Sequence, residues 1–339
     1  MQVVIGRNSL PLAYDGKLMG RNTPSGLRFR FSDPNYDPTT VISWPDGTGV
    51  ITTWKEGSTW AKVSGLPGNV WDWYYDDRYW DNSFKYAFRD SDNLVQVIDG
   101  DTSFVRDMDG LFEGCTSLTS VCMLDTSNVS TMNDTFMFCR SLTSVPLFDM
   151  SNVVSTRYMF DSCSSLVEVP LFDLHRVSMM NYMFAGCSSL RSIPAFNTSS
   201  ATRMKGLFMK CRSITSVPML DTRNVTDISQ MFWACDSLET IPLFDTSNVT
   251  DMSLFALGCT SLSEVPLLNT SNVENISNAF QDCPNVYTGA FALYRQAANQ
   301  TTPPAHHGQT FDNCGSNTSS GSIDLRMIPE SWGGNGTGW

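Results

Sequence analysis

From about residue 101 to 292 the apolar positions of this chain repeat every 24 residues. Phe112, Phe136, Phe160, Phe184, Phe208, Phe232 and Phe280 share one phase, and Leu118, Leu142, Leu166, Leu190, Ile214, Leu238, Leu262 and Val286 share a second. Val121, Val145, Val169, Ile193, Val217, Ile241 and Val265 hold a third, with Pro146, Pro170, Pro194, Pro218, Pro242 and Pro266 one residue behind. Cys115, Cys139, Cys163, Cys187, Cys211, Cys235, Cys259 and Cys283 keep the same step. The unit reads D-T-S-N-V-x-x-M-x-x-M-F-x-x-C-x-S-L-x-x-V-P-L-F. One such unit cannot bury its own apolar side, so neighbours must stack into a continuous core. In S-L-x-x-V-P-L-F the pattern predicts a short extended strand, limited by a proline that cannot donate to a ladder. In V-x-x-M-x-x-M-F-x-x-C the spacings of three and four predict a helical or 3-10 turn on the opposite side. At about 4.8 Å per layer, eight coils make a rod about 40 Å long.

One period before the first clean unit, Phe88, Leu94 and Val97 keep the phase while Ser91 occupies the cysteine position, as expected of a degenerate capping coil. The expected organisation is a Trp-rich, β-rich N-terminal domain over 1–76, a repeat region over 77–292 (degenerate coil 77–100, eight coils 101–292), and a C-terminal cap and tail over 293–339. In the first segment, Trp44, Trp54, Trp60, Trp71 and Trp73 alternate with turn signals at 33–34, 37–38, 45–47 and 67–68, which reads as hairpins. Leu27–Phe31 alternates as one half-buried strand. Beyond the last coil, 289–298 suits a short closing helix and 322–328 a final strand. Trp332 to Trp339 has the composition of a flexible end, with two tryptophans available to dock.

The repeated unit resembles the BspA-like leucine-rich repeat, also met as the repeated "lipoprotein" unit of bacterial surface proteins, over about 190 of the 339 residues. The resemblance implies a leucine-rich-repeat-like solenoid of short parallel β-strands and short helical turns, used for adhesion or recognition and bringing no catalytic residues. The flanks, through W-D-W, F-R-F-S-D-P and I-P-E-S-W, resemble those of repeat proteins encoded by bacteriophages of gut bacteria.

Charge and composition narrow the functional classes. The net charge is −12, and an acidic chain is no default partner for nucleic acid, which needs a basic stripe. The repeats hold 19 Asp and Glu against 10 Lys and Arg, much of it in a turn ladder of Asp101, Asp125, Asp149, Asp173, Asn197, Asp221, Asp245 and Asn269. These are expected to cap Asx-type turns in D-T-S-N, a calcium site being the sharper reading that the pattern lacks. No run of about 18 apolar residues suggests a membrane span. Arg7, Asp15, Lys17 and Arg21 interrupt the start before a signal-type apolar stretch forms, so synthesis in a cytoplasm without export is expected.

The cysteine ladder lacks the close pairs of zinc sites and is expected to be buried free thiol; Cys122 and Cys314 are expected to be structural too. Three histidines, His175, His306 and His307, stand outside any catalytic motif, with no nucleophile elbow, phosphate loop or H-E-x-x-H. Asp173 and His175 sit in a variant turn, D-L-H-R, which reads as surface variation rather than chemistry. No cofactor and no metal are expected. The position after the repeated Phe varies freely, and Met137, Met209, Trp233 and Leu257 there form a candidate apolar binding stripe, gap-filling between coils being the alternative. The basic cluster Arg191, Arg203, Lys205, Lys210, Arg212 and Arg223 is the second candidate patch.

The functional expectation is a non-enzymatic binding protein: a bacteriophage virion subunit (fibre, decoration or receptor-binding) contacting other virion proteins, a host surface receptor or a glycan, with homo-oligomerisation compatible. The alternative is a bacterial cell-surface adhesin, and after it a polysaccharide-degrading enzyme on a β-solenoid.

Overall fold

The computed structural model describes residues 85–336, apart from 87, 93, 101 and 104, and ahead of them the backbone of segments 12–14, 17–19, 26–31, 58–62 and 70–75. The turns expected at 33–34, 37–38, 45–47 and 67–68, Trp44, Trp54, Trp339 and the side chains of Trp60, Trp71 and Trp73 lie outside the described residues.

Strands β1 (Leu12–Tyr14) and β2 (Lys17–Met19) form an antiparallel pair. A five-stranded sheet follows, built from β3 (Gly26–Phe31), β4 (Ser58–Lys62), β5 (Val70–Tyr75), β6 (Leu94–Gly100) and β7 (Ser120–Val121) in the order β4-β5-β3-β6-β7. The strand expected at Leu27–Phe31 is the body of β3. Pairing is antiparallel until the last step, where Gln96 and Val97 of β6 run parallel to Ser120 and Val121 of β7. The N-terminal sheet therefore joins the first 24-residue unit through the degenerate coil, in which Phe88 and Leu94 are fully buried.

From there each unit hydrogen-bonds to the next with a constant step. On one side the amides of Met132, Asp134, Phe136 and Phe138 donate to the carbonyls of Ser155, Arg157, Met159 and Asp161 at 2.8–3.1 Å, and the same four-rung pattern recurs from unit to unit. Parallel bridges run from Asp107 through Thr131, Ser155, Met179, Arg203, Asp227 and Asp251 to Asn275. This is the side on which a helical turn is expected, and the backbone there is different. Two tight turns follow one another, as in Met159 N–H to Thr156 O and Cys163 N–H to Phe160 O, each with its third residue at positive φ (Tyr158 56°, Ser162 61°). Positive φ every fourth residue stops helix propagation and turns alternate amides along the stack, where the next unit accepts them.

The expected strand side is also thinner than the sequence suggests. Apart from β7, S-L-x-x-V-P-L-F carries about one inter-unit bond per coil, such as Val167 N–H to Thr143 O at 3.2 Å. The repeated proline removes one donor there.

Two columns of rings fill the interior. Phe88, Phe112, Phe136, Phe160, Phe184, Phe208 and Phe232 stack with centroids 5.5–5.9 Å apart. A second column, Phe148, Phe172 and Phe196, packs beside it at 5.9–6.3 Å. Burial of each ring contributes about 1.5–3 kcal/mol. In the seventh coil Ala256 holds the Phe position and the ring comes from Phe255, one residue earlier, so its contacts with Phe232 and Phe280 turn edge-on at 80° and 71°.

The C-terminal cap contains a further copy of the turn pair that a fixed period does not find. Ile276, Asn278, Phe280 and Asp282 donate to His306, Gly308, Thr310 and Asp312. Phe311 stacks on Phe280 at 6.2 Å, and Cys314 is buried in the cysteine position, 31 residues after Cys283 instead of 24. The intervening insertion holds the expected helix, α1 (Ala290–Ala298), entered through Gly289 at φ 97°; a Cβ there would meet Val265 O at 2.1 Å.

The strand expected over 322–328 is instead part of helix α2 (Ser319–Met327). Its alternation of Ile323, Leu325 and Met327 is misleading, because the inward residues are Gly321, Leu325 and Ile328 at helical spacing, with Ile323 exposed. Thr318 caps the helix by accepting the Gly321 amide at 3.0 Å. The tail is not loose as far as Gly336. Trp332 is buried between Tyr294 and His307, and the amides of Gly334 and Gly336 bond to Pro329 O and Ile328 O.

Candidate recognition surface

The cysteine ladder is interior throughout. All eight thiols are solvent-inaccessible, and each Sγ donates at 3.0–3.1 Å to the carbonyl of the Phe-position residue in the preceding coil. Burial pushes every ladder thiol up, Cys283 to about 12, which removes thiolate at neutral pH. A maleimide titration of the native protein should therefore leave these eight unlabelled until denaturant is added; labelling of most of them in the folded state would contradict the packing.

The turn ladder caps its own backbone. Asp125, Asp149, Asp173, Asn197, Asp221, Asp245 and Asn269 each accept the amide two residues on, at 2.9–3.2 Å. The extra bond from Ser151 or Ser247, and the Arg223 guanidinium for Asp221, hold those carboxyls below the usual range. His175 Nδ1 lies 3.0 Å from Asp173 Oδ2 in an exposed turn. Among the described residues no group of three His, Cys, Asp or Glu is arranged to hold a metal ion.

The stripe expected at Met137, Met209, Trp233 and Leu257 is half-buried and discontinuous. Asp161 and buried Ala185 separate Met137 from the other three, and Lys210 Nζ sits 5.3 Å over the Trp233 ring. These side chains line the turn-pair side beside Tyr158 and Tyr182, whose rings stack at 4.9 Å. Three of the six residues of the basic cluster are paired: Arg203 with Asp227 (3.9 Å), Arg212 with Asp236 (3.7 Å) and Arg223 with Asp221 (2.7 Å). Lys205 projects from the same side, its amide donating to Asn181 Oδ1.

On this side burial and neighbouring acids raise Asp134, as burial raises Asp161. A carboxyl raised by folding stabilises only below its ordinary value near 4 and loses that contribution as pH rises through the folded value. Asp134→Asn should therefore raise the melting temperature at pH 7, with the gain closing as pH falls towards about 4; a constant difference across that range would exclude the carboxyl as its source.

The continuous apolar row lies elsewhere. Met123, which follows Cys122, and Leu147, Leu171, Met219, Leu243 and Leu267, which follow the repeated proline, are 52–61% exposed, and Ala195 completes the row in the coil between. The Val or Ile two residues before and the Phe or Leu immediately after are buried, so the chain turns this residue outward although its type is held apolar over seven consecutive coils. Sequence reasoning missed it because strand alternation points it inward with its neighbours. Its persistence next to a proline was the available signal.

The family model described as Mycoplasma protein of unknown function, DUF285, matches residues 82–193, 166–263 and 213–292. The chain belongs to this family. The DUF285 matches begin in the degenerate coil and end with the last regular one, so the family's unit and the hydrogen-bonded stack coincide. No curated protein and no solved structure matches the chain.

Proposed function

We propose that this DUF285 chain is a non-enzymatic recognition protein, whose stacked units form a leucine-rich-repeat-like solenoid of the BspA type carried on a bacteriophage virion as a fibre, decoration or receptor-binding subunit. The observation that carries the reading is the exposed apolar row. A core needs no leucine at a position more than half exposed, and large apolar rows facing water mark partner surfaces. The unit-to-unit bonds make that surface rigid over seven layers, so a partner meets it without ordering loops first. The capped ends suit a subunit that does not grow by end-to-end stacking. A bacterial cell-surface adhesin is the second reading, favoured by the match to a bacterial family. Mass spectrometry of purified phage particles separates the two: the virion reading expects this chain in the particle, and its absence there, with fragments released by proteolysis of intact bacterial cells, supports the adhesin.

A further inference from the structure

On the turn-pair side the four-rung ladder has a single polarity. From Tyr86, Phe88 and Asp90 of the degenerate coil to Met252, Leu254, Ala256 and Gly258 of the seventh, the amides donate towards the C-terminal end and the accepting carbonyls face the N-terminal end. A sheet edge presents N–H and C=O groups together. This ladder separates them, so donors stand at one end of the stack and acceptors at the other. Ile276, Asn278, Phe280 and Asp282 donate in turn to the last turn pair, whose own onward donors are His307, Gln309, Phe311 and Asn313. Gln309 and Asn313 keep the positive φ (59° and 57°) that aims such amides at a following coil, yet no coil follows among the described residues. Phe311 donates to Trp332 O at 2.9 Å, and the other three amides meet no acceptor among the described residues.

Segment 329–336 lies across this edge. The Trp332 ring stacks flat on His307 at 4.3 Å, and Ser331 O stands 3.2 Å from His307 Nδ1. Gly333 follows at φ 85°, where a Cβ would meet the Asp312 amide nitrogen at 2.4 Å. The segment is tied back to the end of α2 by Asn335 N–H to Leu325 O and Gly336 N–H to Ile328 O. It fills one rung of the four. A full coil cannot take the edge while it is there, because both need the Phe311 amide.

We infer that the C-terminal end of the stack is an assembly edge for a second copy of this chain, joined head to tail, and that segment 329–336 is the plug that keeps it closed. Like ends cannot pair, since donors would meet donors. The matching partner is the carbonyl end of a stack of the same polarity, and the degenerate coil already follows that polarity by sending its amides onward. The N-terminal sheet enters that coil through β6, which pairs with β3 and β7 on the strand side and not on the turn-pair side. A contact between unlike ends is heterologous and does not close on itself, so copies would add in a line. This assembly is independent of the recognition reading, because it concerns the end of the stack and not its exposed row.

The test is size-exclusion chromatography with light scattering on the full chain, on a chain ended at Ile328, and on Gly333→Val. The substitution sets a side chain against the Asp312 amide at a left-handed position, so it lifts the plug without removing it. Both variants should show a mass that rises with concentration through multiples of the parent mass, with elongated particles in negative-stain images and cooperative melting retained. A peptide of residues 329–336, added in excess, should return the shortened chain to the parent mass by refilling the Phe311 rung. An unchanged mass in both variants overturns the inference. So does association that the peptide leaves intact, or association that comes with loss of cooperative melting, since either would mean misfolding and not an opened edge.

Discussion

Removing residues 149–172 should leave a folded protein that unfolds cooperatively at a lower temperature, whereas removing residues 149–160 should leave a chain that does not fold. The first deletion joins Phe148 to Asp173, the same dipeptide step found at 148–149, 172–173 and 244–245. It brings Phe184 under Phe136 and Cys187 beneath the Phe136 carbonyl, so both ladders close again with one unit and one interface fewer. In a nearest-neighbour stack that is a modest loss. The second deletion removes the turn-pair half of one coil. Met132, Asp134 and Phe136 then lose the carbonyls of Ser155, Arg157 and Met159, and Asp161, the partner of Phe138, is joined directly to Phe148 and drawn out of register. Four buried donors without partners cost about 1–3 kcal/mol each, comparable with a whole domain's stability of about 5–15 kcal/mol. Far-UV circular dichroism with thermal melting of both deletions checks this. Cooperative melting of the 12-residue deletion near the parent temperature would show that the four-rung ladder does not hold the units together.

The repeat and its interior were legible because they rest on residue volume, which the sequence records directly. Phe, Leu, Val and Cys at fixed phases can only be reconciled by stacking like on like, and the Asp ladder follows from what D-T-S-N does locally. Backbone direction was not legible. The spacings of Met and Phe in V-x-x-M-x-x-M-F fit a helical turn and a pair of tight turns equally well. What separates them is positive φ at Tyr158, Tyr182 and Gln230, residue types that carry no signal of it. Where glycine does mark the position, at Gly110 and Gly206, it lies under the ring of Tyr86 or Tyr182 from the coil before, a contact invisible along one chain. The exposed apolar row was not legible for a related reason. Met137 and Trp233 vary freely and so attracted attention, yet the backbone half-buries them. The position after the proline changes among Leu, Met and Ala but stays apolar, and apolar type alone does not tell an outward residue from an inward one. The last coil escaped because the α1 insertion moved Phe311 and Cys314 off the period.

Phe255→Ala should destabilise the protein by about 3–5 kcal/mol, and Ala256→Phe in the same chain should return most of that loss. Phe255 is fully buried and bridges Phe232 and Phe280 edge-on, while Ala256 occupies the position that holds Phe in the neighbouring coils. The seventh coil thus exchanges a large and a small residue between adjacent inward positions, which conserves volume inside a stack that tolerates little else. Ala256→Phe alone puts two rings where one fits and should cost about 1–3 kcal/mol by overpacking. The double variant restores the spacing of 24 from Phe232 to the new ring and on to Phe280, with parallel stacking as in the other coils. Urea denaturation of the parent, both single variants and the double variant closes a cycle whose coupling should be large and stabilising. Destabilisations that simply add would mean that the interior does not register ring position coil by coil, and would remove the reason why phenylalanine keeps its phase along the chain.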